Sequence, residues 1–118
     1  MNESIDIQAL SELSGGDEEF VKEILNLFIE NTPLELNKMR SHLEKHETKE
    51  LAEALHKMKS FSAPLGLNEM RTKIYSLEEK LKSNDLSAVK TEMNDFFLFM
   101  EDLVQRTEVQ IDKLNLEN

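Results

Sequence analysis

A chain of 118 residues has room for one modest core and not for two ordinary domains. With 39% hydrophobic and 32% charged residues but only three Gly and two Pro, residues 1–118 read as one mostly helical domain, not as a β-rich or disordered chain. A net charge of −10 disfavours nucleic acid and anionic lipid, and the absence of cysteine removes disulfides, a thiolate nucleophile and cysteine zinc sites, which suits a cytoplasmic protein.

The start, Met1-Asn2-Glu3-Ser4-Ile5-Asp6, is acidic and has neither the basic nor the apolar part of a secretory signal, so none is expected. The longest wholly apolar run, Phe96 to Met100, is far short of the ~20 residues that span a bilayer, and no membrane partner is expected.

Ile5, Ala9, Leu10 and Leu13 fit a short amphipathic helix with Asp6 or Ser4 as its N-cap and Gly15-Gly16 as its stop. Asp17 caps a second helix, with Glu18 and Glu19 at the positive end of its dipole and Phe20, Ile24, Leu27 and Phe28 as a wide apolar face. Pro33 removes one donor and crowds the preceding turn, and Leu36, Met39 and Leu43 sit on a displaced stripe. The segment reads as one bent helix to about His46, although a break at Asn31-Thr32, with Thr32 capping a new helix from Pro33, is equally permitted.

The next stretch, Lys49 to Gly66, organises the rest. Thr48 can cap it, and Leu51, Leu55, Met58, Ser62 and Leu65 share one face at about 100° per residue. Roughly opposite stand Ala52, His56, Lys59, Ser60 and Ala63. Pro64, inside the last turn, and Gly66, a natural left-handed C-terminal residue, mark the end. A further helix carries Leu67, Met70, Ile74, Leu77 and Leu81 and stops at Ser83-Asn84, a turn short enough to make its neighbours antiparallel.

The last helix starts at Asp85 and runs through Leu86, Val89, Met93, Phe96, Met100, Leu103 and Thr107, thinning toward Ile111 and Leu114. These elements predict an all-α, antiparallel four-helix bundle with a short N-terminal capping helix and a final helix long enough to extend beyond the bundle. A monomer is favoured, because monomeric bundles tolerate such a tail.

His56 is set among small residues, Ala52, Ser60 and Ala63, with Lys59 beside it, and a docking partner could reach it. An imidazole with its unperturbed pKa of ~6.5 is largely neutral near pH 7 and therefore nucleophilic: it can accept a group and give it back. No glycine-rich phosphate loop is present, so self-phosphorylation from ATP is not expected.

The run His56-Lys57-Met58-Lys59-Ser60-Phe61-Ser62-Ala63-Pro64-Leu65-Gly66 resembles the signature of histidine-containing phosphotransfer (HPt) domains, roughly His-x-Leu-Lys-Gly-Ser-Ser-x-x-Leu-Gly. The segment Leu10 to Phe20 also resembles what such domains carry before their first long helix, so the resemblance covers nearly the whole chain. It implies that His56 takes a phosphoryl group on Nε2, that Lys59 holds the phosphoryl oxygens, that Gly66 closes the motif, and that Leu65 and Met58 anchor the helix. It further implies a phosphocarrier without kinase activity of its own, relaying between receiver-domain aspartates and His56 in a two-component multistep phosphorelay. The partners would be response-regulator receivers, including those of a hybrid histidine kinase, which bring their own magnesium; the domain itself needs no cofactor. Ala52, Lys57, Ser60 and Ala63 are the partner-binding residues so implied. Ser60 stands where the family usually has glycine, which narrows access without closing it. Phe61 replaces a small residue at the edge of the apolar stripe, where packing is expected, and Pro64 adds a kink. The alternative is a non-catalytic helical module that binds a receiver through the same face.

Other clusters read as structural. His42 and His46 have the spacing of a metal pair but no evident third ligand, so solvated histidines are expected and no metal site. Lys45, Lys49, Lys57 and Lys59 could border the docking face, although a mixed charged surface explains Lys45 and Lys49 equally well. The acidic pairs Asp17-Glu18-Glu19, Glu78-Glu79 and Glu101-Asp102 point in different directions on a helix and are expected to be solvated. Phe96-Phe97-Leu98-Phe99 is too wide for one stripe, so Phe97 or Phe99 should be partly exposed or cover a neighbouring helix.

Overall fold

The structure is a computed structural model that describes residues 3–83 and 85–116. Among the described residues six helices follow one another: α1 (Ile7–Leu13), α2 (Glu18–Glu44), α3 (Thr48–Lys59), α4 (Ser62–Leu65), α5 (Asn68–Leu81) and α6 (Leu86–Leu116). The four long ones form a closed ring in which α2 packs on α3, α3 on α5, α5 on α6 and α6 back on α2. Sequential neighbours are therefore spatial neighbours, the up-and-down order that short connections enforce. The short α1 and α4 lie against each other at one end of the bundle, so α1 caps it as the sequence predicts.

Helix starts follow the local chemistry. The Asp6 carboxylate accepts from the Ala9 amide at 3.0 Å and Asp17 from the Phe20 amide at 3.1 Å, each satisfying a donor that the first turn leaves unpaired. Asp85 accepts from the Ala88 amide at 3.2 Å in the same way. Helix α3 differs from expectation: Glu47 occupies its N-cap without a side-chain hydrogen bond, and Thr48 is already its first helical residue. The Glu47 carboxylate is instead engaged by the His42 ring, 2.9 Å away.

Pro33 does not break α2, which runs unbroken from Glu18 to Glu44. Val21 and Leu25 before the proline and Leu36, Met39 and Leu43 after it are all buried, so tertiary packing on both sides holds the helix across the missing donor. Of the two readings the sequence permits, the unbroken helix is the one observed.

The predicted helix through Gly66 does break. Helix α3 ends at Lys59, and a turn at Ser60-Phe61 leads into α4. Pro64 has no amide to donate to the Ser60 carbonyl four residues back, and its ring crowds that carbonyl, so its effect falls one turn earlier than its own position. The amides of Ser60 and Phe61 tighten onto the carbonyls three back, Lys57 and Met58, while the Ser60 and Ser62 hydroxyls donate to the carbonyls of Lys57 and Lys59, both at 2.6 Å. The core face nonetheless survives the break, with Leu51, Leu55, Met58, Ser62 and Leu65 all buried.

Gly66 closes α4 at φ 67, and a Cβ built there would stand 2.8 Å from Asp6 Cβ. Both the left-handed backbone and the close approach demand glycine. Helix α5 buries Met70, Ile74, Leu77 and Leu81, with Leu67 buried just ahead of it, and ends at Leu81. Asn84 of the expected stop, like Met1 and Asn2 at the start, lies outside the described residues. In α6, Phe96 and Phe97 are buried, Phe99 is half-buried and Leu98 is exposed. The Arg40 guanidinium covers the Phe97 ring 4.7 Å from its centre.

Residues Glu3 to Asp6 strap the end of the bundle. The two Glu3 carboxylate oxygens accept the amides of Glu69 and Met70 at 2.8 and 2.9 Å, capping α5 from outside its own sequence. Arg106 Nε donates to the Glu3 carbonyl at 2.8 Å and Gln110 Nε2 to the Ile5 carbonyl at 2.9 Å. The late turns of α6 are thereby held in place, with Ile111 buried. None of the helices among the described residues is long and apolar enough to cross a membrane.

Candidate functional site

Burying Leu51, Leu55 and Met58 turns the opposite flank of α3 outward, and His56 stands there with 74% of its side chain exposed. Ala52 precedes it by four residues and Ser60 follows by four, so the three share a stripe in which only the imidazole is large. Ala52 is half-buried against the core, whereas Ser60 and Ala63 are exposed. The small residues leave the ring uncovered along the helix axis.

Across the groove between α3 and α5, Glu78 faces this flank. Its oxygens are divided: Oε2 lies 3.1 Å from His56 Nδ1 and Oε1 lies 2.6 Å from Lys59 Nζ. A carboxylate only accepts, so Nδ1 carries a ring hydrogen, and in the neutral ring Nε2 keeps its lone pair. The Glu78 side chain is 16% exposed, sheltered because the flanking Leu77 and Leu81 are pulled into the core. Burial alone would raise its pKa. The hydrogen bonds and charges of Lys59 and His56 outweigh that, and the carboxyl titrates below the ordinary glutamate value. The Lys59 ammonium also lies 5.9 Å from the centre of the Tyr75 ring.

The sequence reading missed Glu78, which it assigned to a solvated acidic pair. Only Glu79 fits that description, exposed and paired with Lys82 at 2.8 Å. A signal was present: Glu78 directly follows a core leucine and so borders the apolar stripe, where a side chain meets the neighbouring helix. Which helix it would meet depends on packing that periodicity does not report.

Lys57 adjoins His56 in sequence and is among the residues that line an apolar groove of about 460 Å³ between α1, α2 and the α3–α4 turn. Leu13, Phe20, Ile24, Phe28 and Phe61 supply much of its lining. Phe61, expected to pack at the edge of the stripe, is 55% exposed there, because the break after Lys59 displaces it from the helical register. Lys49 is exposed two turns before His56, about 10 Å along the axis, and Lys45 is exposed beyond the end of α2.

His42 is taken by Glu47, and His46 is exposed with a left-handed backbone at φ 59. Among the described residues no three His, Cys, Asp or Glu side chains cluster as a metal site would need.

One protein family has a model that matches this chain: the Hpt domain, over residues 23–113, a span that contains His56, Lys59, Gly66 and Glu78. No curated protein and no solved structure matches it.

Proposed function

Since the chain belongs to the Hpt domain family, a family of phosphocarriers rather than kinases that interact with receiver domains, we propose that it relays a phosphoryl group through His56 Nε2 between receiver-domain aspartates. The observation that carries this is the division of the imidazole: Nδ1 is held by Glu78, while the ring as a whole is 74% exposed and its Nε2 is left as the nucleophile.

In the transfer step the Nε2 lone pair attacks phosphorus in line, a nitrogen–phosphorus bond forms, and the phosphorus–oxygen bond breaks with its electrons leaving on the aspartate carboxylate. A magnesium ion bound to the receiver would supply charge neutralisation at the phosphoryl oxygens. Lys59, one turn from His56, supplies a compact cation for those oxygens on this side. Ala52, Ser60 and Ala63 keep the approach low, and Gly66 fixes the turn that ends the motif.

The receiver is also the occupant we assign to the apolar groove. Lys57 lines that groove and adjoins His56, so a partner that presents an aspartyl phosphate to Nε2 lies against Phe61 and the α1–α2 rim. An apolar surface of the receiver would pack there, with its acidic site facing Lys57 and Lys49.

The test is to mix the domain with magnesium and receivers already phosphorylated on aspartate, then follow acid-labile label. Label on the wild type and none on a folded His56→Gln variant is expected. Binding without label from any cognate receiver would replace relay by a non-catalytic docking module.

A further inference from the structure

The buried face of α2 is Val21, Leu25, Leu36, Met39 and Leu43, yet the helix carries a second apolar line. Phe20, Ile24, Leu27, Asn31, Leu34 and Lys38 follow one another at spacings of four and three, so they share a stripe about 27 Å long on the side away from the core. Phe20, Leu27 and Leu34 are exposed along it, and Leu34, 59% exposed, lies outside the lining of the groove. An apolar line that runs on past a groove marks a contact with another macromolecule. We propose that a second copy of this chain docks on the stripe, the two α2 helices lying antiparallel about a two-fold axis near Ile29.

The charges beside the stripe select both the occupant and the direction. Next to Phe20 and Ile24 stand the exposed carboxylates of Glu19 and Glu23, and past Leu34 stand the exposed ammonium groups of Lys38 and Lys45. Parallel copies would set like charge on like. Turned end for end, Lys38 of each copy reaches Glu19 and Glu23 of the other, while Leu34 packs on Ile24 and Leu27. A two-fold contact needs a surface that matches itself in this way. Within one copy, Glu19 and Lys38 make only intrahelical pairs, with Lys22 at 3.9 Å and Glu35 at 3.4 Å. Exposed pairs of that kind are worth little and give way readily. Glu30 lies farther round the helix and remains in water. Because each chain carries a net charge of −10, copies repel at long range, and the matched charges are what orient them on contact.

Phe20, Ile24 and Leu27 also line the groove assigned to the receiver, so a receiver and a second copy exclude one another. The monomer that the sequence favours is then the dilute or receiver-bound form, and receiver docking depends on the concentration of the domain itself. The dimer stands whether or not His56 is the phosphoacceptor; the exclusion rests on the receiver's place in the groove.

Sedimentation equilibrium of the purified chain, from micromolar to millimolar, is the test. A reversible monomer–dimer equilibrium is expected. Leu34→Glu should weaken it roughly a hundredfold, the cost of an unpaired carboxylate at an apolar contact, and leave the melting temperature unchanged because the side chain is exposed. Lys38→Glu should weaken it about tenfold, and adding Glu19→Lys and Glu23→Lys to that variant should restore it. Unphosphorylated receiver should split the dimer into one-to-one complexes. A wild type that stays monomeric to millimolar, a dimer that Leu34→Glu leaves intact, or a charge reversal that restores nothing would overturn the proposal. A complex holding a receiver and both copies would overturn the exclusion. None of these readings involves phosphate, so a chain that dimerises but takes no label on His56 would sink the relay alone.

Discussion

Among the described residues, two cross-helix ties share nearly the same design, and one of the two carries an imidazole. Between α3 and α5, Glu78 accepts from His56 and Lys59; between α5 and α6, Glu92 accepts from the Ser76 hydroxyl at 2.9 Å and lies 2.6 Å from Lys80 Nζ. In the second tie the Lys80 ammonium comes first among the causes that hold the Glu92 carboxyl below its ordinary value, with burial opposing and the Ser76 hydroxyl adding to it. The carboxylate and the lysine are thus fittings that this fold uses to tie adjacent helices. What makes one tie a candidate site is a neutral nitrogen lone pair left facing solvent, which a serine hydroxyl at neutral pH does not offer. The difference in shelter matters as well: Lys59 and Glu78 are 25% and 16% exposed, against 53% and 31% for Lys80 and Glu92. The first pair is screened less by salt.

The largest effect that separates the two ties is loss of the nucleophile. His56→Gln should take no label from a phosphorylated receiver, whereas Ser76→Ala should label as the wild type does; a labelled His56→Gln would move the acceptor elsewhere. Removing the cations comes next. Lys59→Ala should slow transfer or shorten the phosphohistidine lifetime by roughly tenfold, the worth of one charge-assisted hydrogen bond, and Lys80→Ala should leave both unchanged. Equal effects from the two lysines would mean that Lys59 acts only through stability.

Of similar or smaller size, and independent of either tie, Phe61→Ala should weaken receiver binding about tenfold, or ~1.4 kcal/mol, with little change in melting temperature because the ring is half in solvent. Titration calorimetry that finds unchanged affinity would take the receiver off the groove.

The smallest effect is on acid stability. Both carboxyls titrate below the ordinary glutamate value of 4.5 in the folded state, so each contributes stability that is fully present above that value. The contribution is lost as pH falls through the lowered folded value. Glu78→Gln and Glu92→Gln should each flatten the acid limb of a denaturation profile, and a profile unaltered by either would deny that the ties act on folding.

How far the sequence spoke depended on the range of the interaction. Three-four spacing marked Met70, Ile74, Leu77 and Leu81 and the face from Leu51 to Leu65, and all are buried, because apolar periodicity is written locally. The caps Asp6 and Asp17 were legible for the same reason. Thr48 was misplaced by one position because Glu47 is drawn to His42, and the end of α3 was misplaced because a proline acts on the carbonyl four residues before it. Glu78 was out of reach, since its partners lie 19 and 22 residues away on another helix. Glu3, which caps α5 from 66 residues away, was out of reach for the same reason.

That strap bears on how the chain assembles and breathes. Its contacts join Glu3 to Arg106 across 103 positions and Ile5 to Gln110 across 105, among the most distant in sequence that the molecule makes. Closing so long a loop costs entropy that short helix-to-helix turns do not, so the strap docks after the bundle has formed rather than nucleating it. It also opens without melting the bundle, since few buried side chains besides Ile5 leave the core with it. The amides of Glu69 and Met70 should therefore exchange their hydrogens through strap release, faster than their neighbours deeper in α5, and a protease acting on Glu3 to Asp6 would meet a substrate while the bundle is still intact.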